Sequence, residues 1–256
     1  MGKRPRIEIV NLSDVGLKRP HNEDSAISDP DRGLMILADG MGGYKAGEIA
    51  SAIAVTSTYQ QICQGLKHLK SGETDESSGM SAESMLVKKS IIDANSKIYT
   101  TATQESTCQG MGTTIVIGLI HDNILTVAHV GDSRMYRVRG DTFEQITRDH
   151  SLIQELIDRG FYPPEEAAVN TPKNLVTRAL GIENKVEVDV IEEAISPGDI
   201  YLLCSDGLND MVEDEEIHLT LSKYSANLVQ AAEELVQKAN ANGGKDNTSI
   251  ILMRVD

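Results

Sequence analysis

The sequence is short of basic residues. Lys plus Arg number 24 against 39 Asp plus Glu in 256 residues, a net charge of −15. Such a chain lacks the basic face that phosphate-backbone binding requires, and anionic lipid repels it. Neither nucleic acid nor a membrane is therefore expected as a partner. Cysteine is scarce too. Cys63, Cys108 and Cys204 are an odd count without CxxC spacing. That excludes a disulfide framework and a thiolate zinc site, and fits reduced thiols in a cytosolic protein. No apolar run approaches the roughly 18 residues of a membrane span. The basic start Met1–Arg6 is followed by Glu8, Asn11 and Asp14, which interrupt any signal-peptide core. Arg6 stands where a myristoylation signal wants Ser or Thr. A cytoplasmic location is expected. With 21 Gly, 7 Pro and 40% apolar residues, the chain is neither collagenous nor disordered. There is no internal repeat and no linker. One domain spanning 1–256 is expected.

What is present is a mixture of periodicities. Residues 6–12, 24–28 and 34–38 read as short strands. A helix is expected over 46–69, with Ile49, Ile53, Tyr59 and Ile62 toward the core. Residues 71–84 read as a solvated loop. A second helix follows over 82–105, with Met85, Ile92 and Tyr99 as its core stripe. Segments 113–120, 124–130 and 134–139 are β-rich with turn-length gaps, which suggests an antiparallel meander. A short helix begins at Ser151, Pro163-Pro164 breaks it, and Glu165–Val169 follows. Strands are expected at 186–191, 199–204 and 248–255, and helices at 214–222 and 226–241. Strands and helices come in blocks, the mark of an α+β fold with antiparallel sheets.

The informative pattern is where the aspartates fall. Asp39-Gly40, Gly131-Asp132-Ser133-Arg134, Ser205-Asp206-Gly207 and Lys245-Asp246-Asn247 each stand at the edge of a strongly apolar strand. One Asp-Gly is ordinarily a turn. Four on neighbouring strands raise a different question, since carboxylates about 4 Å apart repel by roughly 4 kcal/mol per pair at an effective dielectric near 20. Either the fold separates them or cations lie between them. Oxygen ligands select hard cations, Mg²⁺ or Mn²⁺. The six histidines form no HxxxH pair. The glycine-rich stretch 40–47 is no phosphate loop, because Glu48 occupies the place of the required Lys. Its glycines suit a close approach of backbone to a metal. Arg19, beside Glu23 and Asp24, is the side chain suited to gripping phosphate in a fork.

Taken in order, six motifs resemble those of the metal-dependent protein serine/threonine phosphatases of type 2C, above all the compact bacterial members. They are Arg19-x-x-Asn22-Glu23-Asp24, Asp39-Gly40-Met41-Gly42-Gly43, Met111-Gly112-Thr113-Thr114, Gly131-Asp132-Ser133-Arg134, Ser205-Asp206-Gly207 and Asp246-Asn247. The resemblance runs from Asp14 to Val255. It implies a four-layer αββα sandwich of two antiparallel sheets flanked by helix pairs. It implies two Mn²⁺ or Mg²⁺ ions and a third, weaker site. Asp39 would bridge the main pair, and the Gly40 carbonyl would bind one ion of it. Asp206 and Asp246 would bind the other, and Asp132 would serve the third. Glu23 and Asp24 would hold metal-bound waters, and Arg19 the substrate phosphate. Residues 147–180 would form a flap. The implied activity is hydrolysis of phosphoserine and phosphothreonine on proteins, by a water bridged between two metals. The implied partners are a bacterial Ser/Thr kinase and its targets, with the enzyme a monomer.

The sequence departs from the family pattern in places. Met41 stands where animal members carry His, and Tyr44 where many bacterial members do. Residues 170–174 only partly match a His-Pro-x-Arg-Asn pattern. Alternatives within reach are a phosphatase of a phosphorylated anti-sigma-factor antagonist and a non-catalytic pseudophosphatase. The second would have lost metal ligands, and every matched acid is present. A haloacid-dehalogenase-type site would need a second Asp after Asp39. A cysteine phosphatase would need Arg six residues after Cys63, Cys108 or Cys204, where Leu69, Thr114 and Asp210 stand.

Overall fold

The computed structural model describes residues 5–42, 46–69, 72–163, 166, 172 and 175–256. Tyr44 lies outside them, as do 165 and 167–169 of the expected 165–169 segment and, Pro172 aside, residues 170–174. The strands are β1 (Ile7–Asp14), β2 (Asp24–Asp29), β3 (Leu34–Met41), β4 (Gly112–Thr113), β5 (Ile115–His121), β6 (Ile124–Val130), β7 (Arg134–Arg139), β8 (Thr142–Gln145), β9 (Asp189–Ala194), β10 (Ile200–Cys204) and β11 (Thr248–Val255). The helices are α1 (Ala46–Gly65), α2 (Ala82–Gln104), α3 (Leu152–Asp158), α4 (Asp206–Asn209), α5 (Asp214–Lys223) and α6 (Leu228–Ala241). One sheet runs β1-β11-β10-β7-β8. The other runs β2-β3-β5-β6-β9, with β4 paired to β3. Every pairing is antiparallel.

Alternation along the strands builds the layers. On β3, Leu34, Ile36 and Ala38 pack with Ala50 and Ile91 of the helices α1 and α2. Met35 and Leu37, between them, pack with Tyr201, Leu203 and Ile251 of the opposite sheet. On β10 and β11, Leu202 and Leu252 pack with Ile217 of α5 and Leu235 of α6. The strands are apolar on both faces because both faces are covered, and the result is the expected αββα sandwich.

Three expectations need correction. The meander does not form: β5 pairs β6, but β7 pairs β10 in the opposite sheet. Gly131, at φ +106°, begins the turn that carries the chain across. Periodicity reveals a strand but not its partner. The strand expected at 186–191 lies at Asp189–Ala194, because pairing with β6 starts at His129 opposite Asp189. The helical stripes are rotated. On α2 the buried face is Val87, Ile91, Ala94 and Ile98, and Ile92 is 38% exposed. On α1 it is Ala46, Ala50, Ala54, Thr58 and Ile62, with Ile49 outside. Small residues let α1 approach β3 closely, and hydrophobicity alone ranks them too low to mark a face.

Candidate active site

Each acid is held by its own element. Asp39 lies on β3 directly opposite Asp24 on β2. Its backbone is fixed by the 112–114 segment: Asp39 N–H donates to Thr114 Oγ1 at 3.0 Å, and Thr113 Oγ1 donates to the Asp39 carbonyl at 2.8 Å. Thr114 Oγ1 is also 2.7 Å from Ser133 Oγ, which ties β3 to the turn bearing Asp132. Asp206 opens α4, and Asp246 precedes β11. A Cβ on Gly207 would collide with the Asn247 carbonyl, and one on Gly40 with the Gly47 carbonyl and, at 2.5 Å, with that of Glu23. Only glycine permits either close approach.

Asn247 organises the loop that carries Arg19 and Glu23. Its Oδ1 accepts from Glu23 N–H at 2.8 Å, and its Nδ2 donates to the carbonyls of Val15 and His21, each at 2.9 Å. The loop thus hangs from the residue next to Asp246. The sequence placed Asn247 in a motif without a role. Thr114 was equally silent, since a hydroxyl shows its partner only once strands are paired.

Arg19, Glu23, Asp39, Gly40, Asp132, Asp206 and Asp246 line one cavity of about 220 Å³. Met41, Gly42, Thr114 and Val176 also line it. Seven of the eight candidate residues therefore meet. The eighth, Asp24, lies behind Asp39 and is half-buried, with Oδ1 enclosed and Oδ2 accepting from Ser205 Oγ at 2.8 Å. Arg19 Nη2 donates to Asp246 Oδ2 at 2.5 Å rather than to Glu23 or Asp24.

Burial pushes the Asp24 carboxyl up to about 6. Burial, reinforced by Asp149, brings Asp132 to about 6 as well. Asp39 is held well above the ordinary range by burial and then by Asp24, Asp206 and Asp132. Asp206 is raised likewise by burial and then by Asp132 and Asp210. Burial also raises Glu23. Arg19, raised by its bond to Asp246, is the only cation on the wall among the described residues.

These residues fit hard divalent cations. The donors are all oxygen. Asp24 Oδ1 and Asp206 Oδ1 are buried and have no hydrogen-bond partner among the described residues. Buried acceptors are normally satisfied, and a positive charge would satisfy these.

The chain matches the family model described as Protein phosphatase 2C over residues 19–242. It is 37% identical over 246 residues to the serine/threonine phosphatase stp of Listeria innocua, covering 94% of this chain and 93% of that one. The crystal structure of the Mycobacterium tuberculosis serine/threonine phosphatase PstP/Ppp superposes with a TM-score of 0.83 at 36% identity, covering 98% of this chain and 99% of that one. The PstP catalytic domain in complex with two manganese ions gives 0.79 at 35% identity, with 98% and 99% covered. By family model, sequence and fold together, this chain belongs to the protein phosphatase 2C family and is a protein serine/threonine phosphatase.

Proposed function

We propose that Asp39, the Gly40 carbonyl, Asp206 and Asp246 hold two Mn²⁺ or Mg²⁺ ions, that Asp132 serves a third, weaker one, and that Arg19 receives the substrate phosphate. The supporting observation is the convergence of these oxygens and a single guanidinium on one cavity. When bound, the cations offset the carboxylate charge and acidify a water toward neutral pH. The chain's own residues do the rest. The Arg19 fork holds the non-bridging phosphate oxygens and orients phosphorus for in-line attack. Glu23, on the wall, and Asp24, anchored by Ser205 behind Asp39, would accept hydrogen bonds from waters held by such ions. Met41 has no proton to give, so the leaving oxygen takes its proton from another group.

The substrates on this reading are proteins carrying phosphoserine or phosphothreonine, supplied by a Ser/Thr kinase that the enzyme opposes. The chain acts as one catalytic domain, 1–256, with a flap at 147–180. It works as a monomer in the cytoplasm. Among the described residues no helix is long and apolar enough to cross a membrane. The reading is tested on a phosphothreonine peptide. Activity should vanish with EDTA and return with Mn²⁺ or Mg²⁺; full activity in metal-free protein sinks it.

A further inference from the structure

Another group of ligand-type side chains lies outside the cavity lining. His129, His150 and Asp189 bring one ligand atom each to within 4.8 Å of one another. Their geometry is not that of a cation site. The imidazoles stack, with centroids 4.7 Å apart and planes 16° apart. Their in-plane lone pairs run side by side instead of converging. Arg178 already supplies the positive charge, with Nη1 2.7 Å from Asp189 Oδ1.

What this group holds is the turn that carries Asp132. His150 clamps Gly131 twice. Gly131 N–H donates to His150 Nδ1 at 3.0 Å, and His150 N–H donates to the Gly131 carbonyl at 3.0 Å. Because Nδ1 accepts from a backbone amide that can only donate, a neutral ring carries its proton on Nε2, which lies 3.3 Å from Asp189 Oδ2 and 3.0 Å from Arg178 Nη1. His150 is 7% exposed. Burial, with His129 and Arg178 beside it, pulls its pKa down to about 4, so it stays a neutral acceptor at pH 7. Gly131 has no side chain to fix its conformation, and a Cβ there would press into Thr114 at 2.6 Å. On its other side the His150 carbonyl accepts from Thr177 N–H at 2.8 Å, and Ser151 bridges to Val176 on the cavity wall.

We propose that His150 is a positioning residue for the phosphatase reaction: its Nδ1 lone pair holds the Gly131 amide and thereby sets where Asp132 presents its carboxylate. This rests on the reading of Asp132 as a site residue. Removing a partner that orients a ligand typically costs about 10–100-fold in metal affinity or activity.

Asn offers an oxygen near the place of Nδ1, whereas Gln reaches toward the place of Nε2. In the Mn²⁺-loaded enzyme acting on a phosphothreonine peptide, His150→Asn should keep most of the wild-type kcat. His150→Gln should lose about 10-fold or more at unchanged KM and melting temperature. Equal activity in the two variants, or a loss that follows melting temperature, overturns the proposal. Should both variants fail to fold, the wild-type enzyme decides. Nitrogen NMR of its imidazoles should show His150 with Nδ1 unprotonated, and an Nδ1–H tautomer overturns the role. Asp132→Ala is run alongside. Full activity there overturns the reading of Asp132 itself. Lost activity there with His150→Gln unaffected overturns the role of His150 alone.

Discussion

Arg19 Nη2 and Asp246 Oδ2 stand 2.5 Å apart, a pair that joins residues 227 positions distant in sequence. The side chains are 46% and 26% exposed. Exposed pairs of this kind contribute only about 0–1 kcal/mol, so the guanidinium is readily exchanged. The same Arg that suits a phosphate therefore rests on a carboxylate that suits a cation.

That relationship decides what Arg19→Ala does. A charge-assisted phosphate contact of about 1.5–3 kcal/mol, present in substrate and transition state alike, corresponds to a roughly ten- to hundredfold rise in KM. The fall in kcat should be much smaller. Mn²⁺ affinity, measured by calorimetry without substrate, should rise, because a competing cation has left Asp246. A fall confined to kcat, or weaker Mn²⁺ binding, contradicts this assignment.

Asp39→Ala and Asp206→Ala should each abolish turnover and weaken metal binding. Each should also raise the melting temperature in EDTA, since a buried carboxylate repelled by its neighbours costs stability. Near wild-type turnover in either variant would show that the ligand set is wrong.

Asp132→Ala separates the third site from the main pair. A crystal of the variant grown with Mn²⁺ should retain two ions while most activity is lost. Loss of the main pair, or unchanged kinetics, refutes that division.

The raised carboxyls give an unusual pH dependence. Asp24 and Asp132 titrate near 6 in the native protein and near 4 when unfolded. Between those values the native state keeps protons that the unfolded chain has released. Metal-free protein should therefore lose stability as pH rises from about 4 to 6, and Asp39 and Asp206, also held high, act in the same direction. Carboxyls held low, such as Asp29 beside Arg32 and Asp199 beside Arg139, act below that window. Melting temperatures in EDTA at pH 5 and 7.5 check this, with Asp132→Asn as the flattened comparison. A higher melting temperature at pH 7.5 for the wild type would falsify it, as would an equal slope in Asp132→Asn.

Asp39, Asp132, Asp206 and Asp246 were legible because chemistry leaves few residue types for holding hard cations, and each stood beside a strand too apolar to miss; the roles of Glu23 and Asp24 came only with the family resemblance. The layers were legible for the same reason: strands such as β3 and β10 are apolar on both faces, which demands cover on both sides. Which strands pair was not. The step of β7 into the opposite sheet depends on the positive φ at Gly131, and glycine tolerates every conformation without announcing one. The face of α1 was missed because Ala46, Ala50 and Ala54 signal closeness rather than hydrophobicity. His150 was invisible for a further reason. Its partners are a backbone amide 19 positions back and a carboxylate 39 positions on, and neither spacing belongs to any local pattern.

The carboxylates continue the layer between the sheets past its last hydrocarbons. Asp39 follows Met35 and Leu37 along β3, on one jaw, while Asp206 and Asp246 flank β10 and β11 on the other. The interior then works as a caliper, opened to a gap of about 10 Å by the bulk of Met35, Leu37, Tyr201 and Ile251. A smaller side chain at any of these places alters the bite of the jaws, without touching the reacting groups.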